Sequence, residues 1–332
     1  MQYNDIVNTV TTLFSANAKR PVYIEGPPGG GKTSLCGPIA DKLDIPRENI
    51  HIFRPSLRDP VDLMGVPAVD REARMTTWNP PSDLARLRSG RHLLNIDELP
   101  QAPAMMQNAL AGLMLDRFIG DLHISDEVYI IATGNRTKDK AGANRVLSQL
   151  GNRVMRLEMD VSPEDWQRWA LDNGIDPMII AFLRFKPDQL FDFDPDRFSN
   201  ATPRAWEFAA EVPDSLPINL YREALSGVVG EGAANEYIGF KALADELPSI
   251  DHIVMDPEKA PVPEKADVRY ACVAALSTRV TNDNFKSLVL YVTRLPVDYQ
   301  VLFMRSAGEV CPEVMTNTAF RDWVFQNHEV FK

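Results

Sequence analysis

A glycine-rich segment near the start of the chain has the residues and the spacing of a phosphate-binding loop. Residues 26–33 read Gly-Pro-Pro-Gly-Gly-Gly-Lys-Thr and fit the pattern G-x-x-x-x-G-K-[ST]. Glycines let the backbone curl so that several N–H groups and a helix N-terminus point at one anion. The pattern predicts that Lys32 reaches the β- and γ-phosphates of a nucleotide and that the Thr33 hydroxyl holds Mg²⁺. The predicted nucleotide-binding residues are Gly26, Pro27, Pro28, Gly29, Gly30, Gly31, Lys32, Thr33 and Ser34.

Two consecutive acids, Asp97 and Glu98, follow the apolar segment Leu93-Leu94-Asn95-Ile96. In open α/β sheets ligands bind at the C-terminal ends of the strands, where these acids would lie. Asp97 is predicted to hold Mg²⁺ through water, and Glu98 to polarise the attacking water as a general base. A strand that ends in a solvated acidic pair is the alternative. The phosphate-binding loop earlier in the chain favours the functional interpretation.

A third polar position follows the apolar segment Ile130-Ile131-Ala132. An asparagine after a strand is by itself usually a turn residue. Asn135, however, ends the strand that comes after the acidic one. Its amide is therefore a candidate for orienting the water opposite the γ-phosphate.

The segments that carry these residues alternate between predicted strands and predicted helices as far as about residue 160. Apolar and β-branched runs predict the strands, and apolar residues at helical spacing predict the helices. Such alternation is typical of a parallel α/β sheet. The predicted strands cover residues 21–25, 49–53, 93–96, 128–132 and 154–157, and predicted helices cover 4–16, 82–88, 103–115 and a segment that begins at Thr33.

Other parts of the chain have a different pattern. Residues 56–82 are rich in Pro, Asp, Arg and Gly, which predicts a loop-rich insertion with a hairpin. After residue 160 the pattern becomes helical. Ser162-Pro163-Glu164-Asp165 and Thr202-Pro203 are predicted helix starts. The Pro- and Asp-rich segment 248–265 is predicted to be a linker or surface crossing. Residues 266–330 are predicted to form three or four helices.

Composition limits the class of protein. The chain has 332 residues, of which 45% are hydrophobic and 24% charged, as in an ordinary soluble globular protein. No apolar run approaches the roughly 18 residues of a membrane span. Three widely spaced cysteines and five scattered histidines match no disulfide framework or metal-ligand spacing and suit a reducing cytoplasm. The net charge of −11 argues against a general nucleic-acid coat.

Taken together, these motifs resemble those of AAA+ ATPases. The resemblance depends on the phosphate-binding loop, Asp97-Glu98, Asn135 and the downstream arginines. Asp62-Leu63-Met64-Gly65 and the insertion after it resemble more specifically the MoxR-like branch. A group of phage and bacterial MoxR-like ATPases is also similar in the segments Ala143-Asn144-Arg145, Gly151-Asn152-Arg153-Val154, Asp165-Trp166, Trp169-Ala170 and Thr202-Pro203-Arg204-Ala205-Trp206.

The resemblance implies ATP and Mg²⁺ as cofactors and assigns roles to several residues. Asn135 becomes the sensor-1 residue, and Arg204, at the start of a lid helix, becomes the sensor-2 arginine that contacts the γ-phosphate of its own subunit. Arg153 occupies the place of the arginine finger that reaches into the neighbouring subunit's site, with Arg145 as the rival. The implied fold is a P-loop AAA+ parallel-sheet core (1–160), a helical lid (161–230) and a C-terminal helical extension (231–332).

The implied function is ATP hydrolysis at the subunit interfaces of a cytoplasmic homo-oligomeric ring of six subunits. Hydrolysis in this branch remodels or matures a protein partner, typically one with a von Willebrand factor A domain. Two other classes remain open. A nucleic-acid motor is disfavoured by the acidic chain, which has no recognisable DNA-binding module. An assembly protein that binds ATP without turnover is disfavoured by the intact Glu98, because a purely structural ATP site needs no base.

Overall fold

The structure is a computed structural model of the chain and describes residues 1–16, 19–139, 151, 154–245 and 250–329. Two compact units are distinguished by their internal contacts. The first comprises Met1–Ser162 together with Asp194–Asp196, and the second comprises Pro163–Phe193 together with Arg197–Lys332. The phosphate-binding loop, Asp97, Glu98 and Asn135 all belong to the first unit, and Arg204 belongs to the second.

The first unit contains a parallel sheet and two antiparallel hairpins. In chain order its strands are β1 (Val22–Gly26), β2 (Ile50–Phe53), β3 (Val66–Asp70), β4 (Met75–Asn79), β5 (His92–Ile96), β6 (Phe118–Ile119), β7 (Leu122–His123), β8 (Val128–Asn135) and β9 (Met155–Glu158).

The parallel sheet has five strands in the spatial order β2-β5-β8-β1-β9. The α/β fold with a parallel sheet is therefore confirmed. Each of its strands lies within a few residues of the predicted one. The largest difference is in β8, which continues to Asn135 because Thr133, Gly134 and Asn135 stay in register with β1.

Helices cover both faces of this sheet. One face packs against α1 and α2 through buried residues that include Ile6, Phe14, Ile24 and Ile39, and the other packs against α5. The predicted amphipathic first helix is confirmed, since its apolar stripe is buried against the sheet. The α-helices of this unit are α1 (Tyr3–Ser15), α2 (Cys36–Lys42), α3 (Pro60–Met64), α4 (Ser82–Ala85) and α5 (Ala104–Asp116).

The insertion contains the predicted hairpin, formed by β3 and β4 in antiparallel register. The turn before β3 requires glycine at position 65. Its φ is +85°, and a Cβ there would lie 1.9 Å from the carbonyl oxygen of Asn79. The backbone N–H of Trp78 donates to the Asp121 carboxylate at 2.6 Å, which joins this hairpin to the β6–β7 hairpin.

The second unit is helical, as predicted. Its aromatic core includes Phe182, Trp206 and Tyr237, whose ring centroids lie 5.5 to 5.9 Å apart. The α-helices of this unit are α6 (Pro163–Asp172), α7 (Pro177–Phe185), α8 (Pro203–Ala209), α9 (Ile218–Val229), α10 (Glu231–Asp245), α11 (Ile250–Met255), α12 (Ala266–Ser277), α13 (Phe285–Val292), α14 (Val297–Val310) and α15 (Thr318–Gln326).

The segment 248–265, predicted to be a linker or surface crossing, contains a helix that the sequence did not predict, α11. The helix forms since Ile253 is fully buried in the cluster built by α12, α13 and α14. Within the described part of the chain, no helix combines the length and the apolar character needed to cross a membrane.

Candidate nucleotide-binding site

The glycine-rich loop joins β1 to α2. Gly29 and Gly31 have φ of +67° and +86°, a region that residues with a Cβ rarely adopt. A short 3₁₀ turn (Thr33–Leu35) follows at once and continues into α2. The chain therefore makes the strand, loop and helix sequence that the motif requires.

Lys32 is buried beneath this loop, and three oxygen atoms surround its ammonium group. Nζ donates to the carbonyl oxygens of Gly26 at 3.0 Å and Pro27 at 2.7 Å. It also donates to Oδ1 of Asn135 at 2.9 Å. Asn135 can reach Lys32 because it is the register partner of Gly26 in the parallel pair of β1 and β8. Two residues that are 103 positions apart, and that were predicted separately, are thus in direct contact.

Asp97 lies immediately after β5, with only 5% of its surface exposed. The Thr33 hydroxyl donates to its two carboxylate oxygens at 3.2 and 3.3 Å, and the Thr133 hydroxyl donates at 2.6 Å. Arg54 Nε approaches Oδ2 at 3.4 Å. The backbone N–H of Asp97 donates to the Phe53 carbonyl at 2.8 Å, which fixes the end of β5 against β2.

Sequence reasoning missed two of these partners, Thr133 and Arg54. Both occupy the ends of predicted strands at the same edge of the sheet, and that position was the available signal. Neither belongs to a recognisable motif. Their proximity to Asp97 becomes evident only from the strand order, which places β5 between β2 and β8.

Glu98 has an unusual backbone conformation, with φ of 58° and ψ of 37°. This left-handed conformation disfavours a residue that carries a Cβ. Glu98 is only partly buried, and its carbonyl accepts a hydrogen bond from the N–H of Gln101 at 2.9 Å. The chain therefore turns sharply directly after Asp97, and the second acid is placed beside the first.

The remaining predicted residues have different positions. Ser34 is exposed, and its hydroxyl donates to the Gly31 carbonyl at 2.7 Å and lies 3.2 Å from the Tyr3 hydroxyl. Arg204 is an exposed residue at the start of α8 in the second unit, a helix whose first turn is capped by Thr202 Oγ1. The two candidate fingers, Arg145 and Arg153, lie outside the described residues.

The cysteine nearest the loop is unsuited to nucleophilic chemistry. Burial raises the pKa of the Cys36 thiol to about 12, and the negative charge of Asp97 acts in the same direction. A thiol that stays protonated near neutral pH is a poor nucleophile. The chemistry of this edge of the sheet therefore depends on its lysine, its carboxylates, its hydroxyls and its amide.

The oxygen donors of Thr33 and Asp97 fit Mg²⁺, which prefers oxygen ligands and usually shares its coordination with substrate phosphates. Among the described residues, no group of three or more His, Cys, Asp or Glu side chains could hold a metal ion. A cation at this position would therefore be held jointly by Thr33, Asp97 and a phosphate. The glycine conformations and the buried lysine likewise fit a nucleotide phosphate chain.

A search with profiles of known protein families finds no match. Comparison with solved structures finds a mutant of RuvB from Thermotoga maritima at 19% identity and a TM-score of 0.39, covering 81% of each chain. A second Thermotoga maritima RuvB mutant matches at 15% identity and a TM-score of 0.36, over 97% of this chain and 88% of that one. NtrX from Brucella abortus, in complex with ATP, matches at 13% identity and a TM-score of 0.40, over 100% of this chain and 68% of the NtrX chain. These similarities are too distant to indicate a shared function.

Proposed function

We propose that the protein is an AAA+ ATPase that binds Mg²⁺-ATP at the carboxyl edge of its parallel sheet. The observation that carries the proposal is the convergence of the ends of β1, β5 and β8. Through it, Lys32 contacts Asn135 and Thr33 contacts Asp97. The strand order β2-β5-β8-β1-β9 is typical of an AAA+ core and supports the same assignment.

Each residue has a distinct role in the proposed reaction. Lys32 leaves its carbonyl partners to contact the β- and γ-phosphates, and Thr33 and Asp97 hold the cation. When bound, Mg²⁺ offsets the negative charge of the phosphates. Asn135 orients a water molecule, and Glu98 accepts its proton as the water oxygen bonds to the γ-phosphorus. The bond from that phosphorus to the bridging oxygen breaks, and ADP and phosphate leave.

We extend the proposal to an assembly, on the basis of the sequence resemblance. Six copies form a ring in which Arg204 contacts the γ-phosphate of its own subunit and Arg153, or its rival Arg145, contacts that of the neighbour. A guanidinium group there offsets the charge that develops during phosphoryl transfer. The ring works in the cytoplasm and remodels a protein partner of the kind that MoxR-like ATPases act on.

Two substitutions test the core of the proposal. Lys32→Ala should abolish binding of a fluorescent ATP analogue, because the loop loses its only side-chain cation. Glu98→Gln should bind the analogue like the unaltered protein but release phosphate at least 10²-fold more slowly, since it lacks the base. Binding by equilibrium fluorescence and phosphate release in the presence of Mg²⁺ measure the two effects. Unchanged binding by Lys32→Ala would contradict the proposal, as would unchanged turnover by Glu98→Gln.

A further inference from the structure

Arg54 is a cationic residue at the candidate site that no sequence motif identifies. It follows β2 directly, and its Nε lies 3.4 Å from Oδ2 of Asp97. The Arg54 side chain is 53% exposed, whereas that of Asp97 is 7% exposed. The ion pair therefore joins a long, half-exposed side chain to a buried carboxylate.

This contact places Arg54 and a divalent cation on the same carboxylate. Asp97 already accepts hydrogen bonds from Thr33 and Thr133, so the carboxylate has few free positions. A cation held by Thr33 and Asp97 would be repelled by a guanidinium that remained at this distance. Because the Arg54 side chain is about half exposed, it can return to solvent when a cation supplies the positive charge that the buried Asp97 carboxylate needs.

We propose that Arg54 competes with the divalent cation for Asp97, and that nucleotide relieves the competition by offering the guanidinium its phosphate oxygens. This inference rests on the proposed function, since the phosphates belong to the nucleotide. A guanidinium binds phosphate oxygens in a favourable bidentate geometry. The consequence is that the protein takes up its cation together with nucleotide and only weakly without it.

Mn²⁺ binding to the full chain without nucleotide tests the competition directly, with electron paramagnetic resonance of free Mn²⁺ as the readout. Arg54→Met should lower the dissociation constant for Mn²⁺ about fivefold, the effect of removing one partly exposed ion pair. Arg54→Lys, which retains the positive charge, should stay close to the unaltered protein. Asp97→Asn should abolish Mn²⁺ binding both in the otherwise unaltered protein and in the two Arg54 variants.

Arg58 provides a matched control in the same segment. It is also an arginine near the end of β2, but it pairs with Asp83 at 2.7 Å and lies over the ring of Phe53. Arg58→Met should therefore leave the dissociation constant for Mn²⁺ unchanged. Thermal unfolding of each variant establishes that it is folded before its affinity is compared.

The outcomes separate the two proposals. Equal Mn²⁺ affinity in Arg54→Met and Arg58→Met, or no Mn²⁺ binding by Arg54→Met, would overturn the competition even if nucleotide still binds. Binding of a fluorescent ATP analogue in EDTA, compared between the unaltered protein and Lys32→Ala, reports the nucleotide site without any cation. Loss of the difference between those two proteins, both in EDTA and in the presence of Mg²⁺, would overturn the proposed function instead.

Discussion

Glu98 shows how a single residue can carry both backbone strain and a proposed chemical role. Its left-handed conformation costs on the order of 1–2 kcal/mol in a residue with a Cβ. Strain of this kind is found preferentially at functional sites, where the surrounding structure imposes it. The turn after Asp97 needs this left-handed conformation. The proposed base, Glu98, occupies the position although its Cβ makes the conformation unfavourable.

This strain leads to a prediction about stability. Glu98→Gly should have a free energy of unfolding about 1 kcal/mol higher than that of Glu98→Ala, because glycine adopts the left-handed conformation without a Cβ penalty. Neither variant should turn over ATP, since both lack the carboxylate. Urea unfolding of the two variants measures the difference. An alanine variant that proved the more stable would show that the turn relaxes when Glu98 is replaced.

At the scale of elements, a pair of histidines joins β2 to β5. His51 Nε2 lies 3.0 Å from His92 Nδ1, and His92 Nε2 lies 3.0 Å from the Ser89 carbonyl oxygen. Burial lowers the pKa of His51, and the nearby His92 and Arg86 act in the same direction, whereas Asp83 opposes them. The folded protein therefore resists protonation of His51 more than the unfolded chain does.

The sign of the pH effect follows from this lowered pKa. As the pH falls through the ordinary histidine range near about 6.5, the unfolded chain takes up the proton first, so the free energy of unfolding decreases. His51→Gln should flatten this decrease between about pH 7 and pH 5. The exposed His123 supplies the control, because His123→Gln should retain the slope of the unaltered protein. Equal slopes in all three proteins would contradict the prediction.

The strands of the parallel sheet could be predicted from sequence patterns. Apolar runs shortly before Gly26, Asp97 and Asn135 predicted three of the strands, because a buried parallel strand is apolar along most of its length. Arg54 and Thr133 were missed because a lone polar residue after a strand has no distinguishing sequence pattern. Only the strand order places them beside Asp97.

The missed helix α11 has a different cause. In α11, a short segment is made helical by packing around Ile253. Tertiary contacts of this kind override local sequence preference.

At the scale of the whole molecule, the proposed ring places the two halves of each ATP site on different subunits. Lys32, Thr33, Asp97, Glu98 and Asn135 would come from one subunit and Arg153 from the next. A lesion in Glu98 and a lesion in Arg153 would therefore lie on opposite sides of an interface. Mixing subunits that carry one lesion with subunits that carry the other distinguishes a site shared between subunits from a site within one subunit.

Mixing experiments make this distinction quantitative. Arg153→Ala and Glu98→Gln should each be inactive alone. Equal mixing should restore about a quarter of the unaltered turnover, because random assembly gives one interface in about four an intact glutamate and an intact arginine. Mixing Lys32→Ala with Glu98→Gln should restore nothing, since those lesions belong to the same half-site. If the first mixture stays inactive although both variants assemble, Arg153 does not act across the interface, and Arg145→Ala in the same mixture tests the rival finger.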